Sequence, residues 1–232
     1  MLTSFFRVAA VVAILTSLSP LTAGAQQPGG IDQARIDQAI QAYASKVQAD
    51  EEKARDRLIL GKTSALLDDP ASPVLGNPKG DVAVIEFFDY TCPFCKAVEP
   101  RVEKLLKEDK GVKVILKEFP ILTPESLVAA KAALASGKQG KYEPFHNALL
   151  AFRGRLQNEI IFDTAKNVGL DVDRLKKDMD APEITDEIIA NFNLARGLRI
   201  FETPGFIVDG HFLTDASADI DFPKVVAAAR TK

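Results

Sequence analysis

Val82-Ala83-Val84-Ile85-Glu86-Phe87-Phe88-Asp89-Tyr90-Thr91-Cys92-Pro93-Phe94-Cys95 is the stretch on which the reading of this chain turns. Val82 to Phe88 is an apolar run of strand length with one acid inside it. Cys92 and Cys95 are the only cysteines among 232 residues, and a helix-like stretch follows them to about Lys107. Two thiols at this spacing at a helix start can close a disulfide with each other and exchange it with a partner. As a staple the bridge would be poor, because so short a loop removes little entropy from the unfolded chain. The pair therefore reads as reactive.

Toward the N-terminus, Arg7 is followed by an apolar run, Val8 to Leu15, and by small residues ending Ala23-Gly24-Ala25. This is the layout of a secretory signal peptide over residues 1–25, cleaved after Ala25. The run is short for a membrane span, and no second long apolar run follows, so the mature protein is expected to be soluble. An exported, periplasmic protein can keep a disulfide that cytosolic buffers would reduce. Cleavage removes one positive charge, Arg7, and no acid, taking the formal charge from −3 to −4. That mildly acidic balance, with no basic block, excludes nucleic acid as a partner.

Ile31 to Leu60 holds no Gly or Pro and reads as one helix, reaching roughly 45 Å. Ile36, Ile40, Tyr43, Val47, Ala54 and Leu58 make a narrow apolar stripe, interrupted by Asp50. A helix this polar is marginal alone, so residues 26–68 are expected to form an arm that self-associates. Asp68-Asp69-Pro70, Ser72-Pro73 and Gly76-Asn77-Pro78 read as a turn-rich linker.

Downstream of the thiols, Val112 to Phe119 reads as a second strand, and Thr123-Pro124-Glu125 as a capped helix start. Helical segments follow near 142–152, 159–167, 173–179 and 184–196. Phe206 to Val208 reads as a strand, with Asp209-Gly210 turning into His211 to Leu213, and Asp221 with Pro223 starts a last helix. The order is α/β: a βαβ unit, an all-helical insert at about 121–199, a hairpin for the same sheet and a closing helix.

Glu86 to Lys96 resembles the active-site segment of the DsbA-like thiol–disulfide oxidoreductases, and Thr203-Pro204-Gly205-Phe206 resembles their cis-proline loop. The resemblance covers residues 69–232 and implies a thioredoxin-like fold with an inserted helical domain, here with an N-terminal helical arm. Asp69 to Pro73 with Gly76 to Asp81 is similar to the ScsC-like branch, some members of which are trimeric isomerases and others monomers. It implies a periplasmic thiol–disulfide oxidoreductase whose isomerase or reductase action is favoured, with a DsbA-type oxidase as the alternative. The only cofactor implied is the Cys92–Cys95 disulfide. Implied partners are exported proteins carrying thiols or disulfides, a membrane reductant like DsbD or oxidant like DsbB, and further copies of the chain, a trimer being the form that branch suggests.

At the site, Cys92 should sit at the helix N-terminus, where free N–H groups and the dipole favour a thiolate. Cys95, one turn deeper, should resolve the mixed disulfide. Pro93 removes one donor and Phe94 adds an apolar surface; the histidine of strongly oxidising relatives is absent at position 94. The resemblance makes Glu86 a buried acid that exchanges the Cys95 proton, Lys117 its possible charge partner, and the Thr203–Pro204 bond cis, with the Thr203 backbone turned toward Cys92. Glu99 and His146 read as helix-surface residues, His211 as the start of a hairpin strand, and Pro100 as a kink in the active-site helix. No metal site is expected. A rival of another class uses the two thiols as soft ligands for copper, and a third is a chaperone module in which they are incidental.

Overall fold

The computed structural model describes residues 32–213 and 219–231, so the expected leader and the residues up to Ile31 lie outside them. The chain divides into two compact units, Met1–Ala44 and Ser45–Lys232. Helix α1 (Gln33–Leu60) begins in the first and ends in the second.

The larger unit is built on a five-stranded sheet ordered β1-β3-β2-β4-β5. The strands are β1 (Val74–Gly76), β2 (Val82–Phe88), β3 (Val112–Glu118), β4 (Gly205–Val208) and β5 (His211–Leu213). β2 and β3 run parallel and are joined by helix α3 (Pro93–Glu108), while the other neighbours pair antiparallel. β2 is the middle strand, covered on both faces, which is why its sequence is apolar at nearly every position instead of alternating.

The two faces of the sheet carry different cores. Val84 and Phe88 of β2 join α3, the helical insert and α9 (Phe222–Arg230) in one cluster, while Ile85 and Phe87 join Leu66, Leu194, Leu198 and Ile207 in the other. Each such side chain, fully buried, contributes about 1.5–3 kcal/mol relative to exposure. The insert consists of α4 (Pro124–Ser136), α5 (Tyr142–Ala151), α6 (Asn158–Asn167), α7 (Val172–Met179) and α8 (Pro182–Gly197). α4 starts on a capping box in which Thr123 and Ser126 satisfy each other's backbone N–H, with Pro124 in the first turn.

The linker assignment needs correction. Its residues contain β1, and a five-residue helix, α2 (Thr63–Leu67), stands just before them, at the end of the stretch assigned to the arm. Both are too short for periodicity to reveal, and β1 is an edge strand that needs only its register with β3. Nor is the arm unattached throughout: within the larger unit Ile59 is buried, Arg55 stacks over Phe212, and Asp56 Oδ2 meets His211 Nδ1 at 2.8 Å.

Candidate active site

β2 delivers the chain to the site, and Asp89 fixes how it arrives. Asp89 Oδ1 accepts hydrogen bonds from the Thr91 N–H and hydroxyl, and Oδ2 accepts from the N–H groups of Ile121 and Leu122. One buried carboxylate thus ties the loop before Cys92 to the loop after β3. A short acid after a strand is an ordinary turn signal, so its sequence position alone does not reveal this role.

Cys92 then takes the N-cap position of α3, with Pro93 in the first turn. Its Sγ accepts from the Cys95 N–H at 3.4 Å and lies 3.2 Å from the Thr203 carbonyl oxygen. The Thr203–Pro204 peptide is cis, as the loop resemblance implied. The Cys95 thiol, the Thr203 side chain and the Cys95 and Phe94 backbone stabilise the thiolate and outweigh burial, bringing the Cys92 pKa down to about 6. Cys95 is pushed the other way: burial comes first, then the neighbouring Cys92. Both cysteines are free, with Cys92 2% exposed and Cys95 fully enclosed. Phe94 stands out at 63% exposure beside them.

Glu86 is enclosed, and neither of its carboxyl oxygens has a hydrogen-bond partner. Burial raises its pKa well above the ordinary range, and Glu99, Cys92 and Glu118 raise it further. It shares the face of Val84 and Phe88 with the thiols, as its place in the strand predicted.

Lys117 is not its partner. In the register of β2 and β3, Glu86 faces Leu116, and Lys117 pairs with Phe87. Successive strand residues point to opposite faces, so Lys117 lies under the other side of the sheet. There it is enclosed and donates to Asp69 Oδ2 at 2.9 Å, Ser72 Oγ and the Ala65 carbonyl.

Two residues read as surface groups are buried behind the thiols. Glu99 is 5% exposed because Pro100 does not end α3, and the helix turns this position inward. Its pKa rises to about 7 from burial and from Glu103. His146 is 1% exposed, because α5 packs this face against β2 and α3. Burial holds its pKa down near 3, so it is neutral. It stacks on Tyr142 and bonds Tyr90, and both phenols donate to Glu118 Oε1. Pairs such as Phe145 and His146 fit either face of a helix start, so the inward direction was not readable from spacing. A separate apolar cavity, lined by Ile59, Leu66, Ile85 and Ile207, lies on the sheet face opposite the thiols.

Residues 83–223 match the model of the DSBA-like thioredoxin domain. The chain is 41% identical to a thioredoxin-like oxidoreductase from Silicibacter pomeroyi DSS-3, with a TM-score of 0.70 over 73% of this chain and 98% of that one. It is 26% identical to the catalytic domain of Proteus mirabilis ScsC, with a TM-score of 0.68 over 76% of this chain and 99% of that one. A Na(+)/H(+) antiporter NhaA 1 from Salinispora arenicola is 30% identical over 164 residues, 67% of this chain. The chain spans 25% of that antiporter's length, and 54% of a putative protein-disulfide oxidoreductase from Rickettsia typhi to which it is 31% identical over 59% of its own length.

Proposed function

We propose, on the premise that this chain belongs to the DsbA-like thioredoxin family, that it is a periplasmic thiol–disulfide oxidoreductase acting on exported proteins. The observation that carries the reading is the asymmetry of the two thiols: Cys92 is driven toward the thiolate and Cys95 away from it. A thiolate attacks a disulfide, and a protonated neighbour waits for the second step. Cys92 attacks a client disulfide, and the client's leaving sulfur departs as thiolate. Cys95 gives its proton to Glu86, attacks Cys92 and expels the client, leaving the Cys92–Cys95 disulfide. Oxidation of a client runs the same steps in reverse.

The Thr203 backbone beside Cys92 offers a client segment strand-like pairing, and exposed Phe94 and Phe201 add apolar surface near the sulfur and near that loop. The apolar positions Ile36, Ile40 and Tyr43 of α1 are exposed, which supports assembly of several chains through the arm, a trimer in the ScsC manner. Isomerase or reductase action is favoured because several reduced sites facing one client suit reshuffling. Such a protein needs a DsbD-like membrane reductant, where an oxidase would need a DsbB-like oxidant. The test is recovery of a scrambled disulfide protein by the reduced chain, beside titration with copper(I). Catalysed recovery that disappears in Cys92→Ser is the expected result. Tight copper binding without recovery would favour the metal-sequestering rival, and recovery that survives Cys92→Ser would favour the chaperone module.

A further inference from the structure

The exchange steps above leave His146 without a role, although it lies among the buried acids behind the thiols. Tyr90 and Tyr142 both donate to Glu118 Oε1, at 3.1 Å and 2.8 Å. A phenol has one proton, so the Tyr90 oxygen has only lone pairs left for His146 Nδ1, which lies 2.9 Å away. With Glu118 Oε1 taking both phenol hydrogens, this arrangement favours the neutral tautomer that carries its hydrogen on Nδ1 and keeps a lone pair on Nε2. Nε2 has no hydrogen bond and lies 3.8 Å from Glu99 Oε1, while Glu99 Oε2 and both oxygens of Glu86 are also unpartnered.

The titratable groups facing this cluster are Glu86 from β2, Asp89, Tyr90 and Cys92 from the loop, Cys95 and Glu99 with Glu103 beyond from α3, Glu118 from β3 with Glu187 of α8 beyond, and Tyr142 from α5. No cation is among them. A bare imidazole nitrogen favours the protonated form of a facing carboxyl, whereas an N–H there would favour the carboxylate. Because Glu86 and Glu99 repel each other when both are charged, whichever is held neutral eases ionisation of the other.

We propose that His146 is a positioning residue for disulfide exchange: its Nε2 lone pair holds Glu99 protonated, which leaves Glu86 free to ionise and take the Cys95 proton. The step is balanced as described above, with Glu86 carboxylate receiving the proton as Cys95 sulfur bonds to Cys92 sulfur and the client thiolate leaves. The proposal rests on the exchange reading. Glu99, with its pKa raised to about 7 by burial and Glu103, is poised where a small bias decides its charge at neutral pH.

The test follows resolution of a Cys92–glutathione mixed disulfide from about pH 5 to about pH 9. His146→Phe should move the acid limb of the profile up by about one unit, making resolution about tenfold slower on that limb. His146→Gln, whose amide oxygen can take the place of Nε2, should keep the original profile. In a Glu99→Gln background His146→Phe should add no further shift. Nitrogen-15 NMR of the unaltered protein should find His146 as the Nδ1–H tautomer, a measurement that does not depend on any variant folding. Tyr90→Phe, which frees the ring to place its hydrogen on Nε2, should shift the limb in the same direction as His146→Phe. An Nε2–H tautomer, or an unmoved limb in folded His146→Phe, overturns the proposal while leaving exchange intact. Failure of the unaltered protein to resolve the adduct through Cys95 overturns the exchange reading and this proposal with it.

Discussion

The Cys92 sulfur owes its character to a few groups that outweigh its burial: the Cys95 thiol first, then Thr203 in the loop across from it and the Cys95 N–H at 3.4 Å. Its pKa of about 6 lies below the ordinary thiol value near 8.5. The sign follows. A depressed acid stabilises the folded, reduced protein above the unfolded pKa, and that contribution is lost as pH falls through about 6. Thiolate absorbance of the reduced protein should therefore rise with a midpoint near pH 6 and lose that step in Cys92→Ala. A single step near the ordinary thiol value would contradict the assigned site. Cys92, Cys95 and the cis Pro204 were legible because motif and loop carry them in sequence. Asp89, Glu99 and His146 were not, because what matters is which way each points, and only packing decides that.

At the scale of elements, β2 decides which groups meet. Its two-residue period sends Glu86 to the thiol face, and β3 sends Lys117 to the opposite one. The apolar runs of β2 and β3 were legible in sequence, whereas β1 was not; the pairing of Glu86 with Lys117 failed because it ignored register. Lys117 instead anchors the segment after α2 through Asp69 and Ser72, and Ser72 Oγ donates onward to Glu187 Oε1 of α8 at 2.9 Å. Burial pushes the Asp69 carboxyl up, but the hydrogen bond and charge of Lys117 more than offset this and hold it below its usual value. Asp69→Ala leaves an enclosed ammonium without its counter-charge and should cost about 3 kcal/mol in urea unfolding. Lys117→Met, which removes the ammonium altogether, should cost less. Equal stability of Asp69→Ala and the parent would mean that the ion pair is not holding this segment.

At the scale of the molecule, α1 differs along its length: its first part is exposed and its end is buried. Residues from Ser45 onward belong to the larger unit, where Ala54 to Asp56 are half-buried and Ile59 lies in the core, so a deletion reaching Leu60 would damage the fold as well as any assembly. A chain beginning at Ser45 is the cleaner comparison. Light scattering should show it as a monomer beside an oligomeric chain beginning at Gln26, with isomerase activity reduced several-fold and the Cys92 titration unchanged. A monomer in both cases would mean that the arm does not assemble the chain. The long, proline-free helix was legible from its period, but where it docks was not, because Arg55, Asp56 and Ile59 meet residues more than a hundred positions away.

In the proposed exchange the two sulfurs act in a fixed order: Cys92 attacks and Cys95 resolves. Mass spectrometry of the adducts formed with a disulfide-bonded client peptide tests it most directly. Cys95→Ala should accumulate a peptide adduct on Cys92, while Cys92→Ala should form none. An adduct on Cys95 in Cys92→Ala, formed as fast as the one on Cys92, would contradict it.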